Sequence, residues 1–337
     1  MLHVRFAACG ASLLVCVLGC VHPAASTRVS DGRQAMGTIL EITLYVAEAE
    51  QGRLLLDRLY NRVAALEAEI TTWNEASAAS RLNAAAGTEP VAVPPALRAL
   101  LTVGVQAALE TEGVFDVSVG PLIALWRQAG ERGRIPTASE IDAARRRVGA
   151  ERIALVGNSA ALAPEMTISF DGVAKGWALD RLGEMLENEG IERVLLDFGG
   201  SSWLARGAPP NAAGWRVLIA DQAGRRSLIV LRDESLSVSE SLGQNIEIDG
   251  RSFSHVIDPR SGWPVETRRL TAVRSPLGAE AEIWSTALLI FSEEEGRRRI
   301  DEHEGLEALW IEADGRAHHT EGFAVEWAVD LHGSGGP

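Results

Sequence analysis

Apolar and polar residues alternate over residues 38–46, the period-two pattern of a half-buried strand. From 47 to 72 the period changes. Leu54, Leu55, Leu59, Val63, Leu66 and Ile70 recur at helical spacing and predict a long amphipathic helix. Small polar residues predict a loop at 74–80, and periodic runs predict helices at 95–112 and 139–147. A buried helix is expected at 173–189. Short apolar runs at 193–198, 215–220, 227–231 and 235–239 read as strands. Asp249-Gly250 is a hairpin-turn pair between strands at 245–248 and 252–257. A strand at 270–275, helices at 279–291 and 293–304 and a strand at 308–311 follow, and residues 331–337 read as a frayed tail. Runs of strands broken by unequal helices predict an α+β fold rather than a regular βα alternation. The length, 337 residues, suits one large domain or two closely joined lobes. No Gly-x-Gly-x-x-Gly and no P-loop sequence occurs, so neither a Rossmann nor a Walker reading has a footing.

The N-terminus stands apart from these patterns. Arg5 precedes a short apolar stretch, Phe6 to Gly19, of signal-peptide length and too short for an ordinary membrane span. It ends Val17-Leu18-Gly19-Cys20, which resembles a bacterial lipobox, in which the cysteine is acylated and becomes the first mature residue. The alternative is an ordinary signal cut near Pro23-Ala24-Ala25-Ser26. All three cysteines, Cys9, Cys16 and Cys20, lie in this leader, so the body has no disulfide, thiolate metal site or cysteine nucleophile. The expected organisation is a signal peptide at 1–19, a tether at 20–33, one folded domain at 34–330 and a tail at 331–337. The expected location is the periplasmic side of a bacterial membrane, held through lipidated Cys20.

Composition sharpens the choice of chemistry. The net charge of −14 repels a nucleic-acid backbone, which argues against DNA and RNA as partners. Lysine and arginine total 32, yet a single lysine occurs, Lys175, in Asp171-Gly172-Val173-Ala174-Lys175-Gly176. A chain that uses arginine nearly everywhere keeps a compact ammonium where a planar guanidinium would not fit. Among seven histidines only His255 sits in a strand-like apolar context, followed by Asp258-Pro259. Its ring can serve as a general base, or it can be a hydrogen-bonded core histidine. Glu282 and Thr286, four apart, share one face of the helix at 279–291, and a carboxylate with a hydroxyl suits a hard cation such as Mg²⁺. Gly199-Gly200 ends a strand where backbone must turn or approach a ligand. Trp73 can stack on a flat ring or simply pack. His-Glu-x-x-His and Gly-x-Ser-x-Gly are absent, which removes zincin and esterase readings.

In order along the chain, Met36-Gly37-Thr38, Trp73 with Ser77 to Asn83, GVFDVSVGPLIALW (113–126), DGVAKGWALD (171–180), the double-glycine strand (195–200), SHVIDPRSGWP (254–264) and AEIWSTAL (281–288) resemble the ApbE family over nearly the whole body of the chain. The resemblance implies a two-lobed α+β fold of mostly antiparallel sheets with flanking helices and an FAD site between the lobes. It implies FAD contacts from Met36, Trp73, Val114, Phe115, Asp116, Ser169, Lys175 and Val256. It also implies Mg²⁺ held by the Gly172 carbonyl, Glu282 and Thr286. The implied reaction moves FMN from FAD to a threonine or serine hydroxyl of an acceptor flavoprotein and releases AMP. His255 is the candidate base, Asp258 orients it or shares its role, and Lys175 neutralises phosphate charge. The alternatives are a Mg²⁺-dependent FAD pyrophosphatase and a non-catalytic flavin-binding lipoprotein. Three positions depart from the family pattern. Glu282 stands for the usual aspartate, Ser169 stands where an aspartate is usual, and Val238-Ser239-Glu240 replaces Thr-Ser-Gly.

Overall fold

The computed structural model describes residues 26–327, except 222, 223, 225 and 242–244. The expected leader, the acylated Cys20 and the expected tail lie outside the described residues.

Nine residues that sequence pattern assigns partly to a tether open the fold as strand β1 (Thr27–Ala35), paired antiparallel with β2 (Thr38–Val46). β1 has only two buried residues, so it lacks the alternation that revealed β2. Met36 and Gly37 form the turn, both with positive φ, 45° and 76°. Helix α1 (Ala49–Ile70) buries Leu55, Leu59, Val63, Leu66 and Ile70 as expected, but Leu54 is 61% exposed on its outer side. Helix α2 (Ala78–Ala84) occupies part of the expected loop, capped by Ser77 Oγ, which accepts from Ser80 N at 2.9 Å. A small sheet of β3 (Val91–Ala92), β4 (Ala154–Val156) and β5 (Ser159–Ala161) brackets α3 (Pro95–Glu110), α4 (Gly120–Arg132) and α5 (Ala138–Arg145). α5 carries a full capping box between Thr137 and Glu140.

After α6 (Ala174–Asn188) the chain turns to strands: β6 (Val194–Phe198), β7 (Ser202–Arg206), β8 (Trp215–Ala220), β9 (Arg226–Leu231), β10 (Glu234–Glu240), β11 (Ile246–Ile248), β12 (Arg251–Phe253) and β13 (Arg269–Ser275). α7 (Gly278–Ile290), α8 (Glu293–Asp301), β14 (Glu307–Glu312), β15 (Ala317–His319) and β16 (Glu326–Trp327) complete it. The main sheet has the order β1-β2-β6-β7-β10-β13-β14-β15, every neighbouring pair antiparallel. The expected strand at 252–257 ends at Phe253, because residues 254–264 leave the hairpin to form a separate loop.

The sheet is covered on both faces. Leu40, Ile42, Leu44, Leu196, Leu204, Val273 and Trp310 pack under α1, α3, α6 and α7. Trp203, Ala205, Leu236, Ala272, Leu309 and Ile311 point the other way, against β8 and β9. Alternation in β7 and β14 therefore separates two apolar sets instead of an apolar and a polar one. A third, smaller core joins α4, α5 and the β11–β12 hairpin through Leu122, Trp126, Ile141, Ile248 and Ile257.

Candidate active site

The centre of the site is the meeting of α6 and α7. Their backbones touch: a Cβ on Gly176 would stand 2.1 Å from the Gly278 carbonyl oxygen, and a Cβ on Gly278 would stand 2.6 Å from the Gly176 oxygen. Only glycine permits this approach. It sets Glu282, which is buried, against the first turn of α6. Its Oε2 accepts from Gly176 N at 2.8 Å, and its Oε1 accepts from Ser202 Oγ at 2.9 Å. Lys175 Nζ lies 3.6 Å from Glu282 Oε1 and donates to Ser201 Oγ at 2.6 Å, with a quarter of its side chain exposed. One turn along α7, Thr286 Oγ1 lies 3.4 Å from Ser239 Oγ, which is 2.8 Å from Ser285 Oγ. A Cβ on Gly172 would be 3.6 Å from Thr286 Oγ1, so the backbone leading into α6 lies against the hydroxyl expected to share a cation with it. The structure thus brings Gly172, Lys175, Glu282 and Thr286 together.

Around them stand the residues expected to meet flavin. Ser169 and Asp171 lie just ahead of α6 in a segment pinned by Asn83, which exchanges two hydrogen bonds with the Ile168 backbone at 2.7 and 3.1 Å. Trp73 is 73% exposed; its Nε1 donates to Asp171 Oδ1 at 3.4 Å, and the Arg127 guanidinium lies 5.7 Å from its ring. A large ring left open to water beside the site is a ready stacking surface. Met36 N donates to Glu67 Oε2 at 2.9 Å in the β1–β2 turn. Val114 and Phe115 are buried in the main core. Asp116 turns inward: Oδ1 accepts from Ser118 N and Oγ at 2.7 and 2.6 Å, and Oδ2 accepts from Ala150 N at 3.0 Å. Burial raises its pKa against the pull of these donors. Its carboxylate braces the loop rather than facing outward.

His255 is exposed to solvent, and the protein mass packed about its ring lowers its pKa below the ordinary 6.5. Asp258 does not reach it. That carboxylate accepts from Arg260 N at 2.9 Å and pairs with the Arg260 guanidinium at 3.1 Å through both oxygens. The loop is also tied from outside. Trp126 Nε1 donates to the Gly262 carbonyl at 2.9 Å, and Arg145 donates to the Arg260 carbonyl at 3.0 Å. Val256 holds the loop base, its carbonyl accepting from Val265 N at 2.9 Å. α4 therefore links the two halves of the site: Trp126 grips the histidine loop, and the next residue, Arg127, lies over Trp73.

Sequence reading missed Ser201, Ser202, Asp180 and Arg260. Ser201 and Ser202 follow the double glycine, and that adjacency was the available signal. Asp180 closes the DGVAKGWALD motif but carries no local mark of its role. An open cleft of about 450 Å³ contains none of these residues; it lies at the far ends of β6, β7 and β10, lined by Arg193, Pro209 and Arg232.

The fold and site define an α+β domain whose one lysine, the buried Glu282 carboxylate and several hydroxyls converge where two helices cross. The chain belongs to the ApbE family, whose model matches residues 36–310. It is 29% identical over 339 residues to the FAD:protein FMN transferase of Klebsiella pneumoniae (strain 342), covering 95% of both chains. It is 30% identical over 298 residues to the FAD:protein FMN transferase of Vibrio cholerae, covering 85% of this chain and 87% of that one. Among solved structures, the flavin transferase ApbE from Vibrio cholerae superposes with a TM-score of 0.77 at 25% identity, covering 89% of this chain and 99% of that one. The apo flavinyl transferase ApbE of Pseudomonas stutzeri gives the same TM-score and identity over 88% and 94%.

Proposed function

We propose that this protein transfers FMN from FAD to a threonine or serine hydroxyl of an acceptor flavoprotein and releases AMP. The observation that carries the reading is the meeting of the chain's single lysine with Glu282 at the start of α6, inside an ApbE fold. The acceptor oxygen attacks the FMN phosphorus, the bond from that phosphorus to the bridging oxygen breaks, and AMP leaves with that oxygen. The acceptor proton passes to His255, whose lowered pKa leaves the ring neutral and able to accept it near pH 7. Lys175 offsets charge on the phosphoryl oxygens, held in place by Ser201.

Mg²⁺ is the cation that suits this site. Among the described residues no three His, Cys, Asp or Glu side chains gather, so a soft or zinc-type ligand set is not built here. The Glu282 carboxylate, the Gly172 carbonyl and the Thr286 hydroxyl are hard oxygen donors on α7 and on the segment that leads into α6, and these three would hold the ion. When bound it would supply positive charge to the phosphoanhydride oxygens.

The leader supports export and acylation at Cys20, on the periplasmic side of a bacterial membrane. β1 enters at the cleft end of the sheet, where Arg193 reaches Ser26 at 3.4 Å, and reaches Met36 at the site end after nine residues, roughly 30 Å of strand. The site thus lies at the end of β1 opposite the one at which the described residues begin. Cys20→Ala should move the protein from the membrane to the soluble fraction.

The deciding experiment incubates the purified protein with FAD, MgCl₂ and an acceptor flavoprotein domain. Flavin fluorescence fixed to the acceptor, with AMP released in equal amount, is expected. Free FMN and AMP without labelling would replace the transferase with a pyrophosphatase, and unchanged bound FAD would leave only a flavin-binding protein.

A further inference from the structure

The crossing of α6 and α7 contains a second carboxylate that the reaction does not use. Asp180 sits in the middle of α6 and is 7% exposed. Its Oδ1 accepts from Gly278 N at 2.6 Å and its Oδ2 from Ala279 N at 2.9 Å, the first two amides of α7. Neither helix has a side-chain cap from its own N-cap residue, Val173 or Leu277. Each is capped by the other. Asp180 of α6 holds the first turn of α7, and Glu282 of α7 holds Gly176 in the first turn of α6. On each helix the carboxylate lies four residues after the glycine that makes the backbone contact: Gly176 and Asp180, Gly278 and Glu282. The arrangement is reciprocal. It places two negative charges at two positive helix ends, the favoured sense for a helix dipole.

We propose that Asp180 is a positioning residue for the cation site. By fixing the start of α7 against α6 it sets where Glu282 and Thr286 stand relative to Gly172 and Lys175. Glu282 and Thr286 follow Gly278 by one and two helical turns, so a shift or tilt of the α7 start carries both donors with it. A buried carboxylate that accepts two amides is also costly to remove, because both N–H groups lose their partner in a space closed to water. The small Gly176–Gly278 separation makes the clamp stiff, since the helices cannot approach further to compensate. Asp180 makes its hydrogen bonds to α7 alone, so its influence on the donors runs through that helix.

This inference rests on the proposed cation site, and the test separates the two. Mn²⁺, used as the probe ion, is titrated into the purified protein and followed by electron paramagnetic resonance, with FAD affinity measured by flavin fluorescence. Three proteins are compared: the wild type, Asp180→Asn, which keeps the size but offers one acceptor oxygen instead of two, and Leu186→Ala, a buried change at the far end of the same helix that lowers stability without touching α7's start. Asp180→Asn should raise the Mn²⁺ dissociation constant about tenfold and the Mg²⁺ half-saturation of FMN transfer by a similar factor, while kcat at saturating metal stays within about threefold. Leu186→Ala should leave both metal constants within about twofold of wild type. Equal metal affinity in wild type and Asp180→Asn, or equal weakening in both variants, overturns the positioning role alone. Absence of Mn²⁺ binding by the wild type overturns the cation site itself and the positioning role with it.

Discussion

At the scale of single residues, the site turns on groups whose neighbours leave them one job each. Lys175 donates to Ser201 and lies beside Glu282, a space that accepts a tetrahedral ammonium. A guanidinium is planar and wider, so Lys175→Arg keeps the charge and loses the fit. FMN transfer should fall roughly 10- to 100-fold, the range expected for one charge-assisted hydrogen bond, with the thermal midpoint nearly unchanged. His255 makes a separate prediction. A general base works when deprotonated, and a pKa below the ordinary 6.5 keeps it deprotonated further into acid. The acidic limb of the transfer rate should therefore fall off only below about pH 6.5 in the wild type, and His255→Ala should remove that limb together with most of the rate. A limb unchanged in His255→Ala would place the base elsewhere. Asp258 belongs with Arg260: the pair stiffens the loop that carries His255, and the sequence could not show which neighbour the carboxylate would choose.

At the scale of elements, the helix crossing buries a carboxylate and shifts its titration. Burial raises the Asp180 pKa to about 6 from 3.8, against the pull of the two α7 amides. Because the folded value lies above the unfolded one, the folded protein holds a proton that the unfolded chain has released over the interval between them. The penalty of burying the charge is therefore present at neutral pH and is relieved as pH falls through about 6. The wild type should gain on the order of 1 kcal/mol relative to Asp180→Asn between about pH 7 and pH 5, read from urea midpoints of the two proteins. The same scale shows where sequence reading failed. α4 begins inside an apolar run, 117–126, without a side-chain cap, so its periodicity was hidden. β7 follows a turn and is buried on both faces, which removes the alternation that marks a strand. β1 is an edge strand with two buried residues and reads as a polar linker.

For the whole molecule, stability and chemistry are built separately. The cores are apolar, with α1, α3, α6 and α7 on one face of the sheet and β8 and β9 on the other. Removing Mg²⁺ with EDTA should abolish FMN transfer while the far-ultraviolet circular dichroism stays unchanged. The thermal midpoint should drop by only a few degrees, because a ligand at a hundredfold excess over its Kd adds about 2.7 kcal/mol. Loss of helical signal on chelation would mean that the ion is structural. Polarity along the sheet matters at this scale too. Residues at the ends of β6 and β10 and at the start of β7 meet the site, while the opposite strand ends line the separate cleft. Among the described residues no helix is long and apolar enough to cross a membrane.

The sequence by itself determined the α+β class, the principal helices and strands with strong periodicity, and the identity of the chemical groups. Periodicity and composition are local, and a lone lysine or a histidine in an apolar run can be seen without knowing its neighbours. Only the tertiary structure decided which groups meet. It paired Asp258 with Arg260, turned Asp116 inward, exposed Leu54, and joined Lys175 to Ser201. It also placed Asp180 of one helix on the amides of another about a hundred residues away in the chain, a contact made by two glycines that let the helices touch. Contacts of that sequence separation depend on how the layers stack, and no window of sequence contains both partners.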